Sequence, residues 1–177
     1  EPGAINWMTA GRGIVHSERK PEGLRESTFV NHGLQLWAAL PRELEEVEPS
    51  FAHTRADDIP ELVVDGATVR VLIGEAFGRK SPVTTVSQTL YLDVQLPAGT
   101  ALQLPPVCAE MAVYAVDGDL VVDGNTQAAL TMAVLTPGAA STLAAPDGPA
   151  RFVVIGGEPL DAPRHMWWNF VSSRKER

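Results

Sequence analysis

The sequence predicts an all-β protein, and three observations carry that expectation. Its apolar runs are short and often rich in Val, turn signals separate them at regular intervals, and only two brief stretches have helical character. Leu34–Leu40 is the first run that reads as a strand. Arg42–Glu48 hints at a helix but is enclosed between Pro41 and Pro49. Thr68–Ile73 and Thr89–Leu96 read as strands, and within the second Tyr91-Leu-Asp-Val-Gln-Leu96 alternates apolar with polar, so one of its faces is buried. Met111–Val116, Asp119–Asp123, Met132–Leu135 and Arg151–Ile155 complete the series. Pro97-Ala-Gly99, Asp117-Gly118, Asp123-Gly124-Asn125, Pro137-Gly138 and Asp147-Gly148-Pro149 are the turns between them. Strands at this spacing favour an antiparallel sandwich or barrel over βαβ units. At the extreme C-terminus Ser172 or Ser173 is a candidate cap for a second helix.

The pattern weakens between Pro41 and Pro60, where prolines mix with Glu43, Glu45, Glu46, Glu48, Asp57 and Asp58. That stretch reads as a connector whose acids form a solvated face. It divides a β unit ending near Leu40 from a second one running from about Glu61 to Glu158. The opening Glu1-Pro2-Gly3 resembles a turn between two strands, and the closing Ser172–Arg177 resembles the first turn of a helix. On that reading the chain is expected to lack residues at both ends.

With 177 residues the chain is long enough to bury a real core, and 45% hydrophobic with 20% charged residues is a globular composition. Its 14 Lys+Arg against 22 Asp+Glu give a net charge of −8, which argues against nucleic acid or an anionic membrane as a partner. There is no transmembrane run, and the single cysteine, Cys108, cannot form an internal disulfide. A cytoplasmic location is the expectation.

Gly13-Ile-Val-His16-Ser-Glu18 carries the most chemistry. On a strand, His16 and Glu18 would project to the same face and present an imidazole beside a carboxylate. Such a pair is two thirds of the two-His-one-carboxylate arrangement that holds non-haem iron with open positions. Alone, an H-x-E triplet is a weak signal, and an ordinary ion pair on a surface strand is the plainer reading of it. Gly11 and Gly13 fit a close backbone approach beside it. The other histidines do not complete the site: His32 reads as a turn residue, His53 as structural, and His165, before Met166-Trp167-Trp168, as a hydrogen-bonded packing residue. Cys108 reads as a buried, inert thiol. There is no nucleophile elbow, phosphate loop, CxxC pair or HExxH helix.

Three stretches together resemble the pirin family of two-domain cupins. They are Trp7-Met8-Thr9-Ala10-Gly11 with His16-Ser17-Glu18, then Gly33-Leu34-Gln35-Leu36-Trp37 through Leu40-Pro41, and then Gly156-Gly157-Glu158-Pro159-Leu160 with Arg164-His165 through Ser173. The resemblance implies a bicupin of antiparallel β-barrels whose N-terminal barrel is incomplete in this chain. Residues 1–45 would be the end of the metal-binding cupin, 46–60 the connector, 61–158 a C-terminal cupin without metal, and 159–177 a C-terminal return segment and the start of a helix. It implies one Fe(II) per full-length chain, held by three histidines and a glutamate; other divalent metals can occupy such sites. His16 and Glu18 match the last two ligands, and the preceding His-x-His pair would lie upstream of residue 1. Laid on Gly99, the family's ligand spacing falls on Pro105, Val107 and Met111 and closes on Gly118, with Ser141 and Thr142 where a further histidine is expected. None of these can replace the missing imidazoles or carboxylate, so the second barrel is expected to be metal-free.

The activity implied is that of a quercetin 2,3-dioxygenase-like oxidoreductase, opening a flavonol with O2. Its partner would be a small aromatic substrate, with Glu18 as both ligand and general base. Trp7 or Met8 would line the cavity or pack in the core. The alternative is a redox-sensing regulator that binds a transcription factor or a metabolic enzyme.

Overall fold

In the computed structural model, residues 2–20, 22–30 and 32–176 are described, and they form strands and short 3-10 turns. The chain divides into two compact units, Glu1–Trp7 with Phe51–Pro159 and Met8–Ser50 with Leu160–Arg177.

Alternation builds the larger unit. In chain order its strands begin with β1 (Ile5–Thr9), which runs on into the other unit, and β2 (Ser50–Thr54), and these two pair. Then come β3 (Glu61–Val64), β4 (Ala67–Ile73), the short hairpin β5 (Glu75–Ala76) and β6 (Arg79–Lys80), β7 (Thr89–Leu96) and β8 (Thr100–Leu104). They are followed by β9 (Glu110–Asp117), β10 (Leu120–Val122), β11 (Asn125–Gln127), β12 (Met132–Val134), β13 (Ser141–Ala145) and β14 (Ala150–Gly157). Six of these form a sheet in the order β12-β9-β14-β7-β4-β3, and four form a second sheet in the order β11-β10-β13-β8, with antiparallel neighbours throughout. Every second residue turns inward. Leu92, Val94, Val113 and Phe152 from the first sheet and Leu102, Leu120 and Leu143 from the second belong to one continuous buried cluster. The larger unit is an antiparallel all-β sandwich of two sheets.

Every run from Thr68 onward that the sequence marks as a strand is one. Asp123-Gly124 turns β10 into β11 with φ of 49° and 82°, the two positive values that a tight hairpin of matching twist requires.

An ion pair crosses two strands of the larger sheet. Arg151 grips Asp93 with two hydrogen bonds, Nε to Oδ1 at 3.0 Å and Nη2 to Oδ2 at 2.7 Å. Tyr91, two residues from Asp93, has its phenol pushed up to about 12, chiefly by burial and then by the Asp93 charge. Above pH 10 the unfolded tyrosine ionises while the folded one stays neutral, so stability falls as pH rises from 10 to about 12. The full shift corresponds to about 2.7 kcal/mol, which solvent screening of a partly exposed ring reduces to about 1–2 kcal/mol. Thermal unfolding between those pH values is expected to show this loss, and Tyr91→Phe is expected to lack it.

The smaller unit departs from expectation at three places. Leu34–Leu40 is not a strand; it runs as irregular chain with Trp37 56% exposed. Apolar patterning makes a strand only where a neighbour takes up its N–H and C=O groups, and among the described residues no strand pairs with it. Arg42–Glu48 contracts to a 3-10 turn at Arg42–Leu44. The C-terminal stretch holds a hairpin of β15 (His165–Trp167) and β16 (Phe170–Ser172), and the described residues that follow it, 173–176, run as bends and turns where the start of a helix was expected. Ser172 Oγ does accept the Arg174 N–H at 3.1 Å, in the manner of a cap. Ser173, however, gives both its N–H and its hydroxyl to Glu45, so its side chain is not available to start a helix.

Candidate metal centre

A turn after β1 precedes the two predicted ligands, His16 and Glu18. Gly13 N–H donates to Ala10 O at 2.9 Å, closing the turn, and Arg12 N–H donates to Val47 O at 3.0 Å. Gly11 lies so close to that same strip of chain that a Cβ on it would sit 2.0 Å from Val47 O, at a φ of 51°. Only glycine fits there. Arg12 adds an ion pair to Glu48 at 2.6 Å, fixing the turn against the connector. Trp7, half-buried, and Met8, 38% exposed, lie on β1 just before it.

Beyond Gly13 the chain is irregular, so the strand expected at His16–Glu18 does not form, and both side chains are exposed. Neither makes a hydrogen bond or ion pair among the described residues. His32 is exposed in irregular chain. His53 is on β2, where its Nδ1 lies 2.7 Å from Asn6 Oδ1 on β1, a structural role across the strand pair. His165 is exposed on β15 without the packing role expected of it, because the hairpin leaves that face open. Among the described residues no group of three His, Cys, Asp or Glu side chains gathers. The donors of His16 and Glu18 suit iron, an imidazole nitrogen and a carboxylate oxygen, but they supply only half of the four-ligand set that the resemblance implies.

The connector holds more than its charge pattern suggests. Glu45 is only 7% exposed, which corrects its reading as part of a solvated face. Arg164 Nε lies 2.8 Å from Glu45 Oε1; the Nε–H does not point along that line, so the contact is ionic. The same guanidinium donates to Leu40 O and Asp161 Oδ1 from Nη2 and to Ala162 O from Nη1. Ser173 N–H and Oγ each donate to Glu45 at 2.8 Å. Glu46 pairs with Arg174, and Asp161 Oδ2 accepts the Arg42 N–H at 3.0 Å. These bonds bind 40–46 to 161–174. No local pattern announces them, because the partners stand more than a hundred residues apart.

In the larger unit, the positions on which the family's ligand spacing was laid carry side chains that belong to the core or its edge. Met111 is buried, Val107 packs against the core, and Ser141 is 1% exposed with an Oγ that finds no partner among the described residues. Cys108 is buried, and its thiol is pushed up by burial and by the charge of Glu158, so it stays protonated.

Comparison with known proteins gives a consistent picture. The family model described as Pirin matches residues 1–38, and the Pirin C-terminal cupin domain matches residues 91–177. A pirin-like protein of Caulobacter vibrioides is 42% identical over 178 residues, covering 100% of this chain and 61% of that protein. The pirin of Homo sapiens is 38% identical over 183 residues, covering 99% of this chain and 61% of that protein. A crystal structure of quercetin 2,3-dioxygenase from Acinetobacter baumannii matches with a TM-score of 0.86 at 30% identity, covering 98% of this chain and 62% of that one. The chain thus spans about three fifths of the length of these relatives. No described helix is long and apolar enough to cross a membrane.

Proposed function

The chain belongs to the pirin family, and from that membership we propose that it is part of a cytoplasmic non-haem iron protein that cleaves flavonol-like substrates with O2. The observation that carries this reading is the likeness, over 98% of the chain, to a structure named quercetin 2,3-dioxygenase. His16 and Glu18 stand at the positions of two family ligands and would hold the metal together with two histidines from outside residues 1–177. Residues 1–45 then belong to the metal-binding cupin, 46–60 to the connector, 61–158 to a cupin without metal and 159–177 to the return segment. When bound, the metal supplies Lewis acidity and an open position for the substrate's hydroxyl oxygen. Glu18 accepts the proton of that hydroxyl at a carboxylate oxygen. The turn held by Gly11 and Arg12 sets where the segment bearing His16 and Glu18 begins.

The test is the metal content of the protein that carries the upstream histidines, by elemental mass spectrometry after anaerobic reconstitution with Fe(II), together with oxygen uptake on adding a flavonol. We expect about one iron per chain, loss of that iron in His16→Ala, and uptake that depends on both. Iron retained in full by His16→Ala would remove His16 from the ligand set. Iron held without any flavonol-dependent uptake would set the dioxygenase aside in favour of a redox-regulated partner-binding protein.

A further inference from the structure

In the larger unit, terminal strands of both sheets line one cavity. β12 is the terminal strand of the six-stranded sheet and β11 the terminal strand of the four-stranded one. A cavity of about 340 Å³ is lined by both strands, with Asp123, Gln127, Met132, Val134 and Thr136 among its residues.

The register shows what β12 offers there. Ala115 N–H donates to Thr131 O and Leu135 N–H donates to Met111 O, so Thr131, Ala133 and Leu135 direct their backbone groups to β9. The N–H and C=O groups of Met132 and Val134 therefore point to the open edge. Proteins usually guard such an edge with charge, proline or a bulge. This edge instead carries Leu130, Met132 and Val134, at alternate positions and 70%, 52% and 82% exposed. Leu130 is held in the left-handed region at a φ of 64°, a conformation that costs a residue with a Cβ about 1 kcal/mol. Its N–H is fixed to Ala115 O, and the preceding Ala129 N–H to Asp119 Oδ1.

Charge selects the occupant. Between Lys80 and Arg151 the sequence contains no Lys, Arg or His, while Asp117, Asp119 and Asp123 cluster around β10. A second copy paired edge to edge would set these acids against one another. A chain that alternates Lys or Arg with apolar residues would place cations beside the acids and apolar groups on the exposed row, while its backbone takes up the free N–H and C=O groups. We propose that the open edge of β12 docks an extended, basic segment of a partner protein by strand addition. This site lies wholly in the larger unit and does not depend on the metal reading.

The probe is a fluorescently labelled peptide of about six residues, alternating Lys and Val, titrated into the chain and followed by anisotropy. Saturable binding is expected, weakened by salt and reduced about tenfold or more in the double variant Met132→Lys/Val134→Lys. Asp123→Asn, which keeps an acceptor for the Thr142 N–H that Asp123 Oδ1 now binds, is also expected to weaken it, and serves should the double variant unfold. Equal binding of a Glu/Val peptide, or undiminished binding by folded variants, would overturn the proposal. So would the absence of saturable binding. A dimer seen in sedimentation and dispersed by the double variant would instead assign the edge to a second copy of the chain.

Discussion

Arg164→Ala is expected to lower the stability of the smaller unit by about 3–5 kcal/mol, the range for breaking one side of a buried ion pair. Arg164 and Glu45 side chains are 5% and 8% exposed, so the carboxylate left behind would have little water to replace its partner. The Ser173 hydrogen bonds would remain on Glu45, but the guanidinium bonds to Leu40 O, Ala162 O and Asp161 would vanish with the arginine. Arg164→Lys keeps the charge and loses the fork, and is expected to cost less. Hydrogen exchange is the suitable measurement, because it reports each region separately. Amide protection at β15 and β16 should collapse in Arg164→Ala while protection in β7 and β14 persists. Equal loss in both regions would mean that the clamp does not act locally.

Phe152→Ala is the complementary experiment in the larger unit. Phe152 is 0% exposed, at the centre of β14 between β7 and β9, and is the largest of the fully buried side chains. Truncation removes the ring's burial energy and leaves a cavity, together about 3–5 kcal/mol. A shift of the urea midpoint at unchanged slope is the expected signature. A loss below about 1 kcal/mol would mean that the two sheets close over the cavity. Phe152→Leu, which refills most of the space, should recover much of the loss.

Part of the larger unit was legible in the sequence, because the strands that could be marked are local in cause. Tyr91–Leu96 alternates with period two and is a strand with Leu92, Val94 and Leu96 buried, though Asp93 on its other face is buried as well, and Asp123-Gly124 turns the hairpin it announces. That Met111 sits in the core and Val107 packs against it was legible for the same reason, since both side chains are apolar. The smaller unit was less legible. Leu34–Leu40 carries the composition of a strand and is not one, and Ser172–Ser173 carries the signal of a helix cap and forms part of a hairpin and a carboxylate clamp. The pair His16 and Glu18 was found from its spacing, yet the irregular backbone beneath it is not the strand that the spacing assumed.

The sequence did not mark β5, β6, β8, β11 and β13. What it determined by itself was therefore the class of fold, the strands β4, β7, β9, β10, β12 and β14, and the residue types available for chemistry. These depend on side-chain period and turn residues, which are properties of neighbouring positions. Only the tertiary structure decided which acids are buried, which strands stand at open edges and which apolar run goes unpaired. Glu45 meets Arg164 and Ser173, and β12 ends its sheet, through contacts between segments distant in the chain. Such contacts depend on which backbone groups and charges find partners in space, and local sequence carries no record of that.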